Sequence, residues 1–203
     1  MEIKTKISKE EVERLISLPG RIIGTGFIDD LDFLLKEKGE EGVEKVEEAM
    51  TELGYPLKYR ELKDFKWYPF GYYLLPILVA KELFEWDDDT IRRMGVNAQK
   101  VSLITRVMMK FFISIGRVFK ETSKYWNMYF SAGDLEGIEL NEKERYLLLI
   151  LKNFPGHQVY CRYIEGAIEQ IASYVVKNPK CREVKCYLKG EGEGHLFKVA
   201  WEK

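Results

Sequence analysis

The chain has 203 residues, of which 46% are hydrophobic and 13% aromatic, enough for one domain with a substantial core. Its 32 basic and 33 acidic residues leave a formal net charge of −1, which argues against nucleic acid or an anionic membrane as partner. The start, Met1 to Glu11, is polar and charged, and the longest apolar runs, such as Tyr72 to Ala80, fall far short of the roughly 20 residues of a membrane span. A cytoplasmic, reducing setting is therefore expected, in which the three cysteines suggest a metal site or core packing before a disulfide.

In chain order, Ser8-Lys9-Glu10-Glu11 is a capping box that predicts a short helix ended by Pro19-Gly20. Ile28 to Lys38 and Glu41 to Leu53 read as two helices separated around Gly39 and stopped by Gly54. Phe65 to Phe70 is aromatic, and Pro69 can open a helix through Tyr72, Leu75, Leu78 and Leu83 that Pro76 would bend. Asp87-Asp88-Asp89 before Thr90 reads as an N-cap with carboxylates on the helix dipole; no calcium-type loop surrounds it.

From Asn97 to about Ser131, apolar residues recur at steps of three and four, predicting one long helix. Met108, Phe111, Phe112, Trp126 and Tyr129 on this stripe are the candidates for lining an apolar ligand pocket, and each reads equally well as plain core. After Ala132-Gly133-Asp134 the period changes. Leu135 to Leu140 and Arg145 to Lys152 read as strands, the second covered on or near both faces. A helix follows from Gln158 to about Val176, then a hairpin of Val184 to Lys189 and His195 to Trp201 across a turn rich in Gly and Glu. The expected fold is α+β: a helical N-terminal part, then an antiparallel sheet of about four strands packed against helices.

Soft metal ligands are concentrated late in the chain. Cys161 sits in the first turn of its helix, where the dipole favours a thiolate, while Cys186 and His195 flank the hairpin turn. Two thiolates, an imidazole and a carboxylate make a four-ligand set suited to Zn²⁺. Glu183 and Cys181 compete for the remaining position. Glu183 lies three residues before Cys186, so the strand must begin irregularly or carry a bulge for both to reach one ion.

At these residues the chain resembles the 4-vinyl reductase domain family, a small-molecule-binding module related to the haem nitric-oxide-binding domains and the TRAPP vesicle-tethering subunits. The matching pieces are Val159-Tyr160-Cys161 with Gly166, Glu183-Val184-Lys185-Cys186, the Gly190 turn and His195-Leu196-Phe197. Met94-Gly95, Trp126, Trp67-Tyr68-Pro69 and Arg21 to Gly26 also look like the family. The resemblance implies a structural zinc on Cys161, Glu183, Cys186 and His195, with His195 standing where the family usually has a third cysteine. It also implies a helical extension over residues 1–60, a candidate dimerisation region, before a ligand-binding domain over 61–203. The expected function is a sensor that binds a small hydrophobic or aromatic molecule and pairs as a homodimer. The alternatives are a reductase acting on a vinyl-bearing tetrapyrrole, or a dimeric scaffold. No dinucleotide-binding glycine pattern accompanies the reductase reading.

Overall fold

The structure, a computed structural model, describes residues 5–111 and 113–203. Helix α1 (Lys9–Ile16) begins where the capping box puts it: Glu11 N donates to Ser8 Oγ at 3.1 Å, and Val12 and Leu15 are buried. Strand β1 (Arg21–Ile23) then pairs antiparallel with β2 (Trp67–Pro69). These strands are too short to show an alternation, which is why the sequence gives no sign of them.

Helix α2 (Thr25–Glu52) is two helices joined at Gly39, whose φ of 67° and ψ of −170° are non-helical. A side chain there would be strained, so glycine marks the break that the sequence suggests. Helix α3 (Phe70–Leu83) starts after Pro69 and contains Pro76. It is apolar on every side because it runs through the core; Leu74, Leu75 and Val79 are wholly buried. Asp87 caps α4 (Asp88–Val101), accepting from Thr90 N at 2.8 Å.

The single long helix expected over 97–131 is a series of short pieces. Helix α4 ends at Ser102 (φ −53°, ψ 128°); α5 (Leu103–Met108), a 3₁₀ turn at Met109–Phe111, α6 (Ile115–Lys120) and α7 (Thr122–Tyr129) follow. Ser114 starts α6 by accepting from Arg117 N at 3.2 Å. Hydroxyls that bond nearby backbone favour such boundaries. The three- and four-residue spacing survives because successive short helices turn their apolar sides to the same interior.

The sheet is β3 (Asp134–Asn141), β4 (Tyr146–Lys152), β5 (Lys180–Lys185) and β6 (Gly194–Ala200), in the order β3-β4-β6-β5 with every pair antiparallel. On β4, Leu147, Leu149 and Leu151 are buried while the alternate residues are half-exposed, so one face is covered and not both. Helix α8 (Gln158–Ser173) packs on this sheet and on α4. The α4–α8 crossing is close: a Cβ on Gly95 would lie 2.0 Å from the Tyr163 carbonyl oxygen, and one on Gly166 would lie 1.9 Å from that of Arg92. Only hydrogen fits at either point. Among the described residues no helix is long and apolar enough to cross a membrane.

Candidate functional site

Two regions carry chemistry. The first is a cavity of about 110 Å³ between α2, α4, α8, the short helices and the inner face of the sheet. Its walls are apolar, with Ile104, Trp126, Phe130, Leu149 and Ile168 among them. Of the expected pocket residues, Met108, Trp126 and Tyr129 line it; Phe112 and the side chain of Phe111 lie outside what the structure describes. Trp126 is fixed by stacking on Phe130, ring centroids 4.2 Å apart, and by donating Nε1–H to the Ala132 carbonyl at 3.0 Å.

One end of the cavity is polar. Thr105 Oγ1 donates to Gln99 Oε1 at 2.6 Å and lies 3.0 Å from the Tyr129 hydroxyl, which also bonds the buried Ser102 hydroxyl. Asp29 lies beside Ser102 at this end of the cavity. Asp29 is 4% exposed, and its Oδ2 has no hydrogen-bond partner. Burial, and then the charge of Asp30, raise the Asp29 pKa to about 8. Asp30 accepts from the Tyr163 hydroxyl at 2.8 Å, and burial raises its own pKa to about 7 against that bond. The sequence reading missed both acids, although a signal was there. Asp29 and Asp30 fall three and four residues after Gly26 and before Phe33 and Leu34, on the stripe that α2 must bury.

The second region joins the start of α8 to the edge of the sheet. Cys161, Glu183, Cys186 and His195 come together with one ligand atom from each within 4.8 Å of all the others. The irregularity that Glu183 requires is present: the β5–β6 register shifts between Glu183 and Lys185, so β5 ends before Cys186 and Val184 turns outward. Cys181 is not part of the group; it is fully buried in the core, and its N–H donates to Glu169 Oε2 at 2.9 Å. His195 Nδ1 lies 2.7 Å from Glu183 Oε1, 3.7 Å from Cys161 Sγ and 3.8 Å from Cys186 Sγ.

Burial, followed by the Glu183 charge, pushes both thiols of the cluster up. Burial is the largest influence on Glu183 and works to raise it, but the hydrogen bond and charge of His195 and the two thiols together outweigh it and hold Glu183 below the usual carboxylate range. Behind the cluster, Glu165 is fully buried; it accepts from Arg162 at 2.7 Å and from the backbone N–H of Glu183 at 2.6 Å. His157 stands apart as the N-cap of α8, with Nδ1 accepting from Val159 N at 3.2 Å and Nε2 lying 3.3 Å from Glu11.

No known family matches the sequence, and no curated relative does. Solved structures do match. An H-NOX protein from S. oneidensis in its Fe(II)NO state aligns over 90% of this chain and 100% of its own, at 14% identity and a TM-score of 0.69. An oxygen-binding H-NOX domain related to soluble guanylate cyclases, in its oxygen complex, covers 90% and 96% at 12% identity and a TM-score of 0.63. A third structure, described by the modulation of haem redox potential through porphyrin distortion, covers the same shares at 12% identity and 0.62. At these identities the likeness is one of fold. The chain has the α+β fold of the H-NOX proteins, a fold related to the one the sequence resemblance implies; the 4-vinyl reductase family itself is not established by it.

Zinc, expected as the cofactor, is corrected by this comparison: the solved proteins of this fold are described by iron and haem, not zinc. The geometry agrees. A zinc tetrahedron spreads sulfur and nitrogen ligands to about 3.5 Å and a carboxylate oxygen nearly as far. The two thiols meet that spacing, but Glu183 is drawn in to hydrogen-bond distance of the imidazole.

The residues present do not fit a haem either. The cavity has the volume of a single ring and not a macrocycle, and among the described residues no His, Cys, Lys or Arg lines it to bind iron or pair with propionates. Its Tyr129 phenol is held neutral by burial, with a pKa of about 12.

Proposed function

We propose that this protein is a sensor-type domain that binds a small hydrophobic molecule in the cavity between the short helices and the sheet. The observation that carries this is the space itself, about 110 Å³ with apolar walls and polar groups at one end. An engineered apolar cavity of about 150 Å³ takes up benzene, so this space suits a molecule of one ring at most. Proteins of this fold are described as binding oxygen and as tuning a haem, which supports small-ligand binding at the level of the fold. Reduction of a vinyl-bearing tetrapyrrole is disfavoured, since such a substrate far exceeds the space.

A thermal-shift and calorimetric screen of single-ring compounds tests the proposal. A true occupant raises the melting temperature with concentration by mass action and binds one per chain. Met108→Trp, which fills the space, should remove the effect. Failure of every ring compound, or binding that survives the filled cavity, would reject it.

Cys161, Glu183, Cys186 and His195 are proposed to hold a metal ion whose identity elemental analysis of protein purified without added metal would assign. Four side chains from two strand ends and a helix start would clip these elements together, giving the ion a structural role. A folded protein carrying no metal would reject this part. The helices of residues 1–60 are kept as the proposed dimerisation region, and a monomer in sedimentation at micromolar concentration would remove it.

A further inference from the structure

The polar end of the cavity has a definite proton arithmetic. Gln99 Oε1 only accepts, so the Thr105 hydroxyl proton is used on it at 2.6 Å. The Tyr129–Thr105 contact of 3.0 Å then needs the Tyr129 proton. The contact between Ser102 and Tyr129 needs the Ser102 proton in the same way. Every hydroxyl proton of this hydrogen-bonded chain is thereby used within it, and none is left to donate to a charged Asp29 carboxylate. The buried Oδ2 of Asp29 has no hydrogen-bond partner, and Asp29 lines the cavity.

We propose that Asp29 is the specificity-determining residue of the cavity: it acts as a neutral carboxylic acid whose free oxygen accepts a hydrogen bond from an uncharged, ring-sized molecule bearing one O–H or N–H donor. This rests on the cavity-binding reading above and names the class of molecule that reading leaves open. The surroundings agree. Asp30 and Asp32 on the same helix and Asp64 on the segment before β2 all disfavour a charge on Asp29, Tyr129 faces it from α7, and among the described residues no lysine, arginine or histidine lines the cavity. The raised pKa of about 8 is the expected companion of that arrangement. An anionic ligand meets Asp29 and no basic side chain among the described residues that line the cavity, and an organic cation would have to strip the proton that burial keeps on Asp29.

The test compares phenol, toluene, benzylammonium and benzoate by calorimetry between pH 6 and 9. Phenol should bind at least about tenfold more tightly than toluene, the value of one buried neutral hydrogen bond, with benzoate and benzylammonium not bound. The preference should hold from pH 6 to 7 and decline above pH 8, while toluene shows no such change. Asp29→Leu should erase the preference, and Asp29→Asn should restore it without the alkaline decline, because the amide does not ionise and still offers a carbonyl oxygen. Tighter benzylammonium binding, loss of the phenol preference in Asp29→Asn, or equal phenol and toluene affinity would each overturn the assignment to Asp29 while leaving the cavity reading standing. If no ring compound binds at all, the cavity reading fails, and this inference with it. Should the leucine variant not fold, the pH profile of the unaltered protein decides alone.

Discussion

Asp29 and Glu183 are both carboxylates set inside the protein, and their proton affinities move in opposite directions. Burial raises the pKa of Asp29 to about 8, whereas Glu183 is held below its ordinary range. The difference lies in the partners. Glu183 faces His195 at 2.7 Å, while Asp29 faces hydroxyls and other acids. Burial alone therefore does not decide what a carboxyl group is; the neighbour that can share or cancel its charge does. One region is dense, with Glu183, His195 and the two thiols drawn together, as a structural clip should be. The other is hollow and holds Asp29 Oδ2, a buried acceptor without a partner, as a ligand site should have.

The strongest way to break the comparison is to dismantle the dense region. Cys186→Ala should cost several kcal/mol in urea unfolding if the cluster holds a metal, since the remaining ligands lose their ion, and chelation should cause a loss of similar size in the unaltered protein. A cost near 1 kcal/mol, with no response to chelator, would mean the thiol is only packing. Glu183→Gln should cost about 2–4 kcal/mol by leaving buried His195 without its charged partner. A loss below 0.5 kcal/mol, by the same unfolding measurement, would show that the pair is not coupled.

The hollow region is sharpened by pH. Asp29 binds a proton more tightly folded than unfolded, so its contribution to stability is full below the unfolded pKa near 4 and is lost as pH rises toward 8. The slope is at most about 1.4 kcal/mol per pH unit for one group. Asp30 acts in the same sense over a window ending near 7. Unfolding at pH 5 and pH 8 should therefore show the greater stability at pH 5. Asp29→Asn should flatten the difference and be more stable than the parent at pH 8 by about 1–3 kcal/mol. A parent equally stable at both values would contradict the neutral acid. The smallest effect is expected at the bystander: Cys181→Ala should cost about 1–2 kcal/mol as a small core cavity and leave any metal content unchanged.

Much of the scaffold could be read from the chain. Ser8 and Asp87 announce helix starts by their own hydrogen-bonding chemistry, Gly39 announces a break, and the apolar run of β4 with the alternation of β6 announces the sheet, though the run hides that only one face of β4 is covered. The cluster was legible too, including the bulge that Glu183 requires, because soft ligands are few and their spacing is constrained. Which ion they take was not, since the same side chains can satisfy one another by hydrogen bonds. The interior of α2 was missed for a related reason: Asp29 and Asp30 look like surface acids until the helix is turned so that Phe33 and Leu34 face inward. Likewise the segment from Ser102 to Tyr129 shows one periodicity whether it is a single rod or several pieces wrapping a hole.

The meeting of Gly95 and Gly166, backbone against backbone, welds α4 to α8. Neither rod can tilt or slide without carrying the other, so the two behave as one beam along a side of the cavity. Traffic into and out of the interior must then be carried by the six-residue helices α5 and α6, whose few internal bonds open at small cost. Amide hydrogens there should trade with deuterium well before those along the beam, and an occupant should slow them most.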